Sequence, residues 1–369
     1  FNLWKGSDSE ELTSKLMQNK ELKSILIEET PWLKQAKSES EQKKRIALLF
    51  DFNKMAQEKN AALKKLKELQ LPNGGWAWYN GMRDNPYITQ YIIEGFGHLK
   101  QLGVDLSVEP GVQECINKGL EYLDNRIVED YRWLQKNSKD LSKKHINKIQ
   151  IHYLYTRSFF PEKEISKNAE AFDYYLDQAE RYWLENNLYT KGMQALSIHR
   201  LNPSSNVPKT IVASLIDNAL QTEQMGMYWK NNQEGYYWYD SPIETQALMV
   251  EVFHEIAKDK NAVEELRIWL LKEKQTQMWA NSKATALACY ALLIDNVKSL
   301  SSGNQVQVKV GQQLLKPTQN EAVTGYFKKV WPNTEVNSNM GAISVQKASA
   351  GIAWGAAYWQ YFEDLDKIT

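Results

Sequence analysis

Cysteine is scarce in this sequence: Cys115 and Cys289 are the only two among 369 residues. Two thiols cannot build a disulfide framework or fill a cysteine-rich zinc site. Histidine is nearly as rare, with His98, His145, His152, His199 and His254, and none of the five falls in a His-Glu-x-x-His spacing. Glu255 does follow His254, but Lys258 stands where the second ligand belongs. No serine sits in a Gly-x-Ser-x-Gly elbow, and no glycine-rich loop has the spacing of a phosphate cradle. Charge of one sign is missing too: 45 basic and 45 acidic side chains cancel. No basic stripe is present to attract nucleic acid. No apolar run approaches the roughly 20 residues that cross a bilayer. These absences predict no metal site, no cofactor, no nucleic-acid partner and no membrane-spanning segment. A starting Met and a signal-peptide pattern are also lacking before Phe1, which suggests a piece of something longer.

Aromatic residues are abundant, with 13 Trp, 19 Tyr and 10 Phe. Such rings suit wide helical cores, and they also suit grooves that hold sugars or peptides. Helical periodicity dominates from Ser9 to about Val297. Leu49, Phe52, Ala56, Leu63 and Leu66 recur at helical spacing, and Ile88, Tyr91, Ile92, Phe96 and Leu99 form the next stripe. Further helices are expected near 110–135, 140–158, 166–187, 189–201, 207–222, 242–257, 261–274 and 282–297. With one at Ser9–Glu29, about eleven are expected.

A repeat runs through these helices. Trp76 and Trp78 lead into Tyr87-Ile88-Thr89-Gln90, Tyr236 and Trp238 into Ile243-Glu244-Thr245-Gln246, and Trp279 into Lys283-Ala284-Thr285. The threonines lie 156 and 40 residues apart, which reads as four periods and one period of a two-helix unit. The expected fold class is therefore mainly α: an α/α toroid of helical hairpins, with an open solenoid as the alternative. Aromatic turns at one end of the units would gather Trp76, Trp78, Tyr79, Tyr236, Trp238 and Tyr239 into a binding rim. The toroid is expected over 1–297. After the turn Ser301-Ser302-Gly303-Asn304, alternation at Gln305–Val310 and Ala342–Lys347 and the aromatic run Ile352–Phe362 predict a small antiparallel β-region over 298–369. Its strands are expected to bury one face, and so few strands suggest an incomplete domain.

The segment Leu71-Pro-Asn-Gly-Gly-Trp-Ala-Trp-Tyr-Asn-Gly-Met-Arg-Asp-Asn-Pro-Tyr-Ile-Thr-Gln-Tyr-Ile-Ile-Glu-Gly-Phe-Gly-His-Leu99 resembles the thioester-domain region of bacterial alpha-2-macroglobulin-like proteins. So do Glu29-Thr-Pro-Trp32, Glu39–Arg45 and Gly351–Phe362. The Gly-Gly-Trp turn is its most specific part, although similar turns recur across α/α toroids, terpenoid cyclases included. The resemblance implies a toroid inserted in a β-domain, neighbouring β-domains as partners, target proteases, and a secreted, periplasmic or cell-surface location. Intact members carry a Cys-x-Glu-Gln thioester that acylates a protease. This chain lacks it: neither Cys115 nor Cys289 is followed by a Glu-Gln pair, and Glu39-Ser40-Glu41-Gln42 has Glu39 where the thiol belongs. The motif either precedes Phe1 or is missing from the parent. No catalytic residue is carried over, and a non-enzymatic protein is expected.

A rival reading rests on carboxylates. Asp84 in the first aromatic turn and Glu234, Asp240 and Glu244 around the second would have to meet at one mouth of the toroid. Paired carboxylates across an aromatic cleft are how glycosides are hydrolysed. Asp-Asn-Pro at 84–86 and Asp-Ser-Pro at 240–242 equally suit helix starts.

Overall fold

The computed structural model describes residues 52–163, 169–237, 240–276, 279, 281–294, 306–315, 329–347 and 357. The helix expected at Ser9–Glu29, the run Ile352–Phe362 apart from Ala357, and Trp238 and Tyr239 lie outside the described residues. The chain divides into two compact units, with the border between Val297 and Lys298.

The described part of the first unit is almost wholly helical. Its helices are α1 (Phe52–Glu68), α2 (Pro86–Gln101), α3 (Val112–Asn137), α4 (Lys148–Ser158), α5 (Ala169–Arg181), α6 (Leu188–Leu201), α7 (Val207–Asp217), α8 (Pro242–Val252), α9 (Lys260–Thr276) and α10 (Ser282–Leu293). They are of two kinds. Each of α4, α6 and α8 is buried along nearly its whole length, from Gln150 to Ser158, Tyr189 to Ile198 and Glu244 to Val252 with a single partial break at Lys191. A helix buried all round must sit inside other helices. The long α3 instead buries one stripe, including Cys115, Ile116, Leu120, Leu123 and Ile127, and shows its charged side to water. Inner and outer helices thus alternate along the chain.

The inner helices α2, α4, α6, α8 and α10 are successive neighbours. The circuit also returns on itself. On α10, Lys283 reaches the Tyr87 hydroxyl of α2 at 3.4 Å, and Tyr290 stacks on His98 of α2 with ring centroids 4.0 Å apart. Starts meet starts and ends meet ends in these pairs, so the first and last inner helices run the same way.

Asparagine begins most of the inner helices. Asn85, Asn147, Asn187 and Asn281 each accept a backbone N–H with their side chain, while Ser241 stands at the start of α8. Capping satisfies donors that a buried helix end cannot give to water. Asn147 and Gln150 make a reciprocal capping box. Asn147→Ala should therefore cost about 1 kcal/mol in urea unfolding; an unchanged midpoint would show that the cap carries no weight.

Thr89 explains part of the repeat. Its Oγ1 accepts the Trp76 N–H at 2.9 Å and donates to the Asn85 carbonyl at 2.9 Å, clasping the aromatic turn to α2. The helix count between repeats is different from the expected one. Among the described residues, the inner helices that start between Asn85 and Ser241 are those at Asn147 and Asn187, so the 156-residue interval holds three described hairpins rather than four. Only Asn147 to Asn187 and Ser241 to Asn281 keep the 40-residue step.

The helix expected at 207–222 stops at Asp217, because Leu220–Thr222 (β1) pairs antiparallel with Gly226–Tyr228 (β2). Gly226 turns this hairpin with φ +69°, and its α-carbon lies against the α9 backbone at Glu265.

In the second unit, Gln307–Val310 (β3) is the central strand between Gln313–Leu315 (β4) and Ile343–Gln346 (β5), all antiparallel. Gly311 makes the turn at φ +60°. The expected buried face is only partly present among the described residues. Val310 and Met340 are buried, but Ile343 and Val345 are 41% and 64% exposed.

Candidate functional site

Two features of the helical unit gather chemistry: a polar network along the axis of the inner helices, and a depression at their starting ends.

The axial network centres on Glu251 of α8, which is 1% exposed. Tyr155 of α4 and Tyr290 of α10 donate to its carboxylate at 2.5 and 2.9 Å, and Arg200 of α6 donates at 2.6 Å. Arg200 also grips Glu255 and lies over the Phe159 ring at 4.4 Å. Because the Tyr155 proton goes to Glu251, the Tyr155 oxygen must accept from His98 Nε2, 3.1 Å away. Beside it, His152 donates to Glu94 at 2.6 Å. Four inner helices are therefore tied through Glu251 and its partners.

Burial pushes the Glu94 carboxyl up, but the His152 hydrogen bond and the nearby imidazoles outweigh it and hold it below its ordinary value. His98 is pushed down by burial, partly offset by Glu94 and Glu251. Both shifts make the fold acid-sensitive. The unfolded chain protonates His98 more readily than the folded one, so stability should fall as pH drops below the ordinary 6.5. The contribution of Glu94 is present above its ordinary 4.5 and is lost as pH falls through the lower folded value. Urea unfolding from about pH 7.5 down to about pH 3 should show the first decline below 6.5 and the onset of the second below 4.5. His98→Gln should flatten the first, and a flat wild-type profile would contradict this account.

The axis has little room for a substrate. Its cavity, lined by residues from all five inner helices, holds about 10 Å³, roughly one water.

The depression has about 270 Å³. It lies among the turn before α8, the start of α8, the end of α9 and the start of α10. Glu234, Asp240, Glu244 and Glu273 line it together with Trp269 and Trp279. Glu244 is 4% exposed, and burial, reinforced by Glu234, raises its carboxyl above the ordinary value. Asp240 is steadied by the Asn187 side-chain amide at 3.2 Å.

The carboxylates expected at one mouth are only partly brought together. Asp84 is not among the residues lining the depression. It accepts the Tyr122 hydroxyl of α3 at 2.6 Å, which holds its pKa low, and it bridges to Ala77 within its own turn. The Asp84 pairing with Asp240 or Glu244 is therefore not assembled.

The aromatic rim needs a similar correction. Trp76 is 2% exposed and donates its indole N–H to the Leu66 carbonyl at 2.9 Å, so it is core. Trp78, Tyr79 and Tyr236 are exposed, and Trp78 stacks on Tyr87 at 5.9 Å. Of the thiols, Cys115 is buried and pushed up to about 11 by that burial. Cys289 is exposed. Among the described residues no His, Cys, Asp and Glu cluster could hold a metal. No described helix is long and apolar enough to cross a membrane.

The axial residues went unnoticed in the sequence reading, yet a signal was there. Glu94 interrupts Ile92-Ile93 and Phe96, and Glu251 interrupts Met249-Val250 and Val252-Phe253. A lone acid in a continuous apolar run has no solvent face to occupy and must find a buried partner.

The chain is mainly α-helical with small antiparallel sheets. No family model matches it, and no curated protein does. Among solved structures it has a distant likeness to Salmonella alpha-2-macroglobulin reacted with methylamine, at 17% identity and a TM-score of 0.40. The match covers 83% of this chain and 17% of that one, so the chain spans about a sixth of that protein's length.

Proposed function

We propose that the chain is the α/α-toroid module of an alpha-2-macroglobulin-like, protease-trapping protein outside the cytoplasm, and that the module itself is not an enzyme. The observation that carries this reading is the clasp of the Gly74-Gly75-Trp76 turn onto Thr89 of an inner helix, at the segment whose sequence resembles that family. The filled axis supports the non-enzymatic part, since a cavity of about 10 Å³ leaves no place for a substrate beside Glu94 and Glu251. In this reading residues 1–297 form the toroid and 298–369 belong to a β-domain whose neighbours are further β-domains.

The direct test is to incubate the full-length protein containing this chain with a protease and assay a large and a small substrate. Trapping should suppress cleavage of the large substrate while sparing the small one. Equal cleavage of both, as without the protein, would overturn the reading.

The chain itself should form no thioester, because neither thiol is followed by a Glu-Gln pair and acylation needs both a thiol and an activated acyl carbon. Treatment with methylamine should therefore leave its intact mass unchanged. A mass gain with one newly titratable thiol would reveal a thioester within these residues.

A further inference from the structure

We propose that Tyr87, Tyr91 and Tyr189, at the starting end of the axis, form a binding site for a primary ammonium, and that Lys283 occupies it from within the chain as an autoinhibitory contact. The proposal goes beyond the protease-trapping reading and does not depend on it.

The geometry is that of a cage. Lys283 of α10 holds its ammonium 5.9 and 5.5 Å from the ring centroids of Tyr87 and Tyr91 on α2, and 5.8 Å from that of Tyr189 on α6. Each distance falls within the roughly 6 Å over which a ring attracts a cation, and the attraction grows as water is excluded. Tyr189 is 3% exposed, and Tyr87 and Tyr91 are half-buried. Lysine at a half-buried position ordinarily extends its ammonium into water. This one stays among the rings. Beyond them Trp78 stacks on Tyr87 with centroids 5.9 Å apart, so the aromatic wall continues toward solvent.

The groups beside the rings select the kind of ammonium. Lys283 donates to the Tyr87 hydroxyl at 3.4 Å. Burial raises the carboxyls of Glu94 and Glu244, and the Lys283 charge is among the effects that oppose the rise. Rings alone suit any cation, a quaternary one included. A hydroxyl and two acids favour a cation that has N–H groups to donate. Glu94, Glu244 and Tyr189 also line the axial cavity, so the space that Lys283 fills adjoins it.

The tether makes this occupant hard to displace. A ligand attached to the wall of its own site is present at an effective concentration of millimolar or more. Free amines therefore compete poorly while the lysine chain is in place. Removing the lysine, or drawing the start of α10 away from α2 and α6, opens the site.

The test is saturation-transfer NMR of ethylammonium and of tetramethylammonium with the wild-type chain and with Lys283→Ala. The variant should bind ethylammonium with a Kd of about 1–10 mM, within reach of so small a ligand. It should bind tetramethylammonium about threefold more weakly, for lack of N–H donors. The wild type should bind neither up to about 50 mM, because its cage is filled. Tyr91→Leu added to Lys283→Ala should weaken ethylammonium by about threefold to tenfold. Lys283→Met, which fills the space without the charge, should bind neither cation. If Lys283→Ala fails to fold, reductive methylation of the wild type decides: Lys283 should react about tenfold more slowly than Lys64, whose side chain is 76% exposed. Absence of ethylammonium binding to folded Lys283→Ala would overturn the proposal. So would equal binding by variant and wild type, tighter binding of tetramethylammonium, or equal methylation of the two lysines.

Discussion

Glu251→Ala should destabilise the helical unit by about 3–5 kcal/mol, the usual cost of breaking a buried ion pair from one side. The carboxylate is 1% exposed and receives Tyr155, Tyr290 and Arg200 at 2.5, 2.9 and 2.6 Å. Its removal leaves two buried hydroxyls without their acceptor and a guanidinium with Glu255 as its one remaining carboxylate beside the Ser158 hydroxyl. Glu251→Gln should cost less, because one oxygen remains to accept. Glu255→Ala should also cost less, since Arg200 then keeps the more buried of its two acids. Urea unfolding followed by far-UV circular dichroism measures all three. A loss below about 1 kcal/mol for Glu251→Ala, the value of an ordinary surface pair, would show that the axis is not held by this network.

Gly74→Ala should be nearly as damaging, by about 2–5 kcal/mol, from two causes that add. Gly74 sits at φ +89°, and an added Cβ would lie 2.2 Å from the Lys118 carbonyl oxygen of α3. The left-handed backbone costs about 1–2 kcal/mol for a residue with a side chain. The clash is with backbone, so α3 or the turn must move, at about 1–3 kcal/mol. Gly103→Ala separates the terms: it shares a positive φ, +80°, but an added Cβ meets nothing within 4 Å. It should lose only the backbone part. Equal losses at the two positions would mean that the close approach of the turn to α3 is unimportant. The same turn places Trp76 for its bond to Thr89, so Gly74→Ala should also quench the burial of that indole.

Much of the helical unit was legible in the sequence. Apolar spacing located most of the described helices, and Pro and Asn marked their starts, as at Asn85-Pro86. Such signals are local, carried by residues within a turn or two of one another. The strands at Gln307–Val310 and Ile343–Gln346 were legible for the same reason, since alternation is also local. The aromatic turns were visible, but their roles were not. Trp76 and Trp78 stand two residues apart, yet one is core and the other 54% exposed. The difference depends on α1 and α2 closing over one ring and not the other.

What the sequence by itself determined is the mainly helical character, the approximate places of most described helices (the one expected at 140–158 begins only at Lys148), and the lack of a Cys-x-Glu-Gln or a sequence-spaced metal motif. Tertiary structure alone decided which helices are inner, that α10 returns to α2, and which acids share a space. Asp84 and Asp240 look alike in sequence, each close before a proline. One is taken by Tyr122, 38 residues away, and the other by Asn187, 53 residues away. The physical reason is that a carboxylate's energy depends on which donors surround it in space. Packing of distant helices chooses those donors, and no local pattern records the choice.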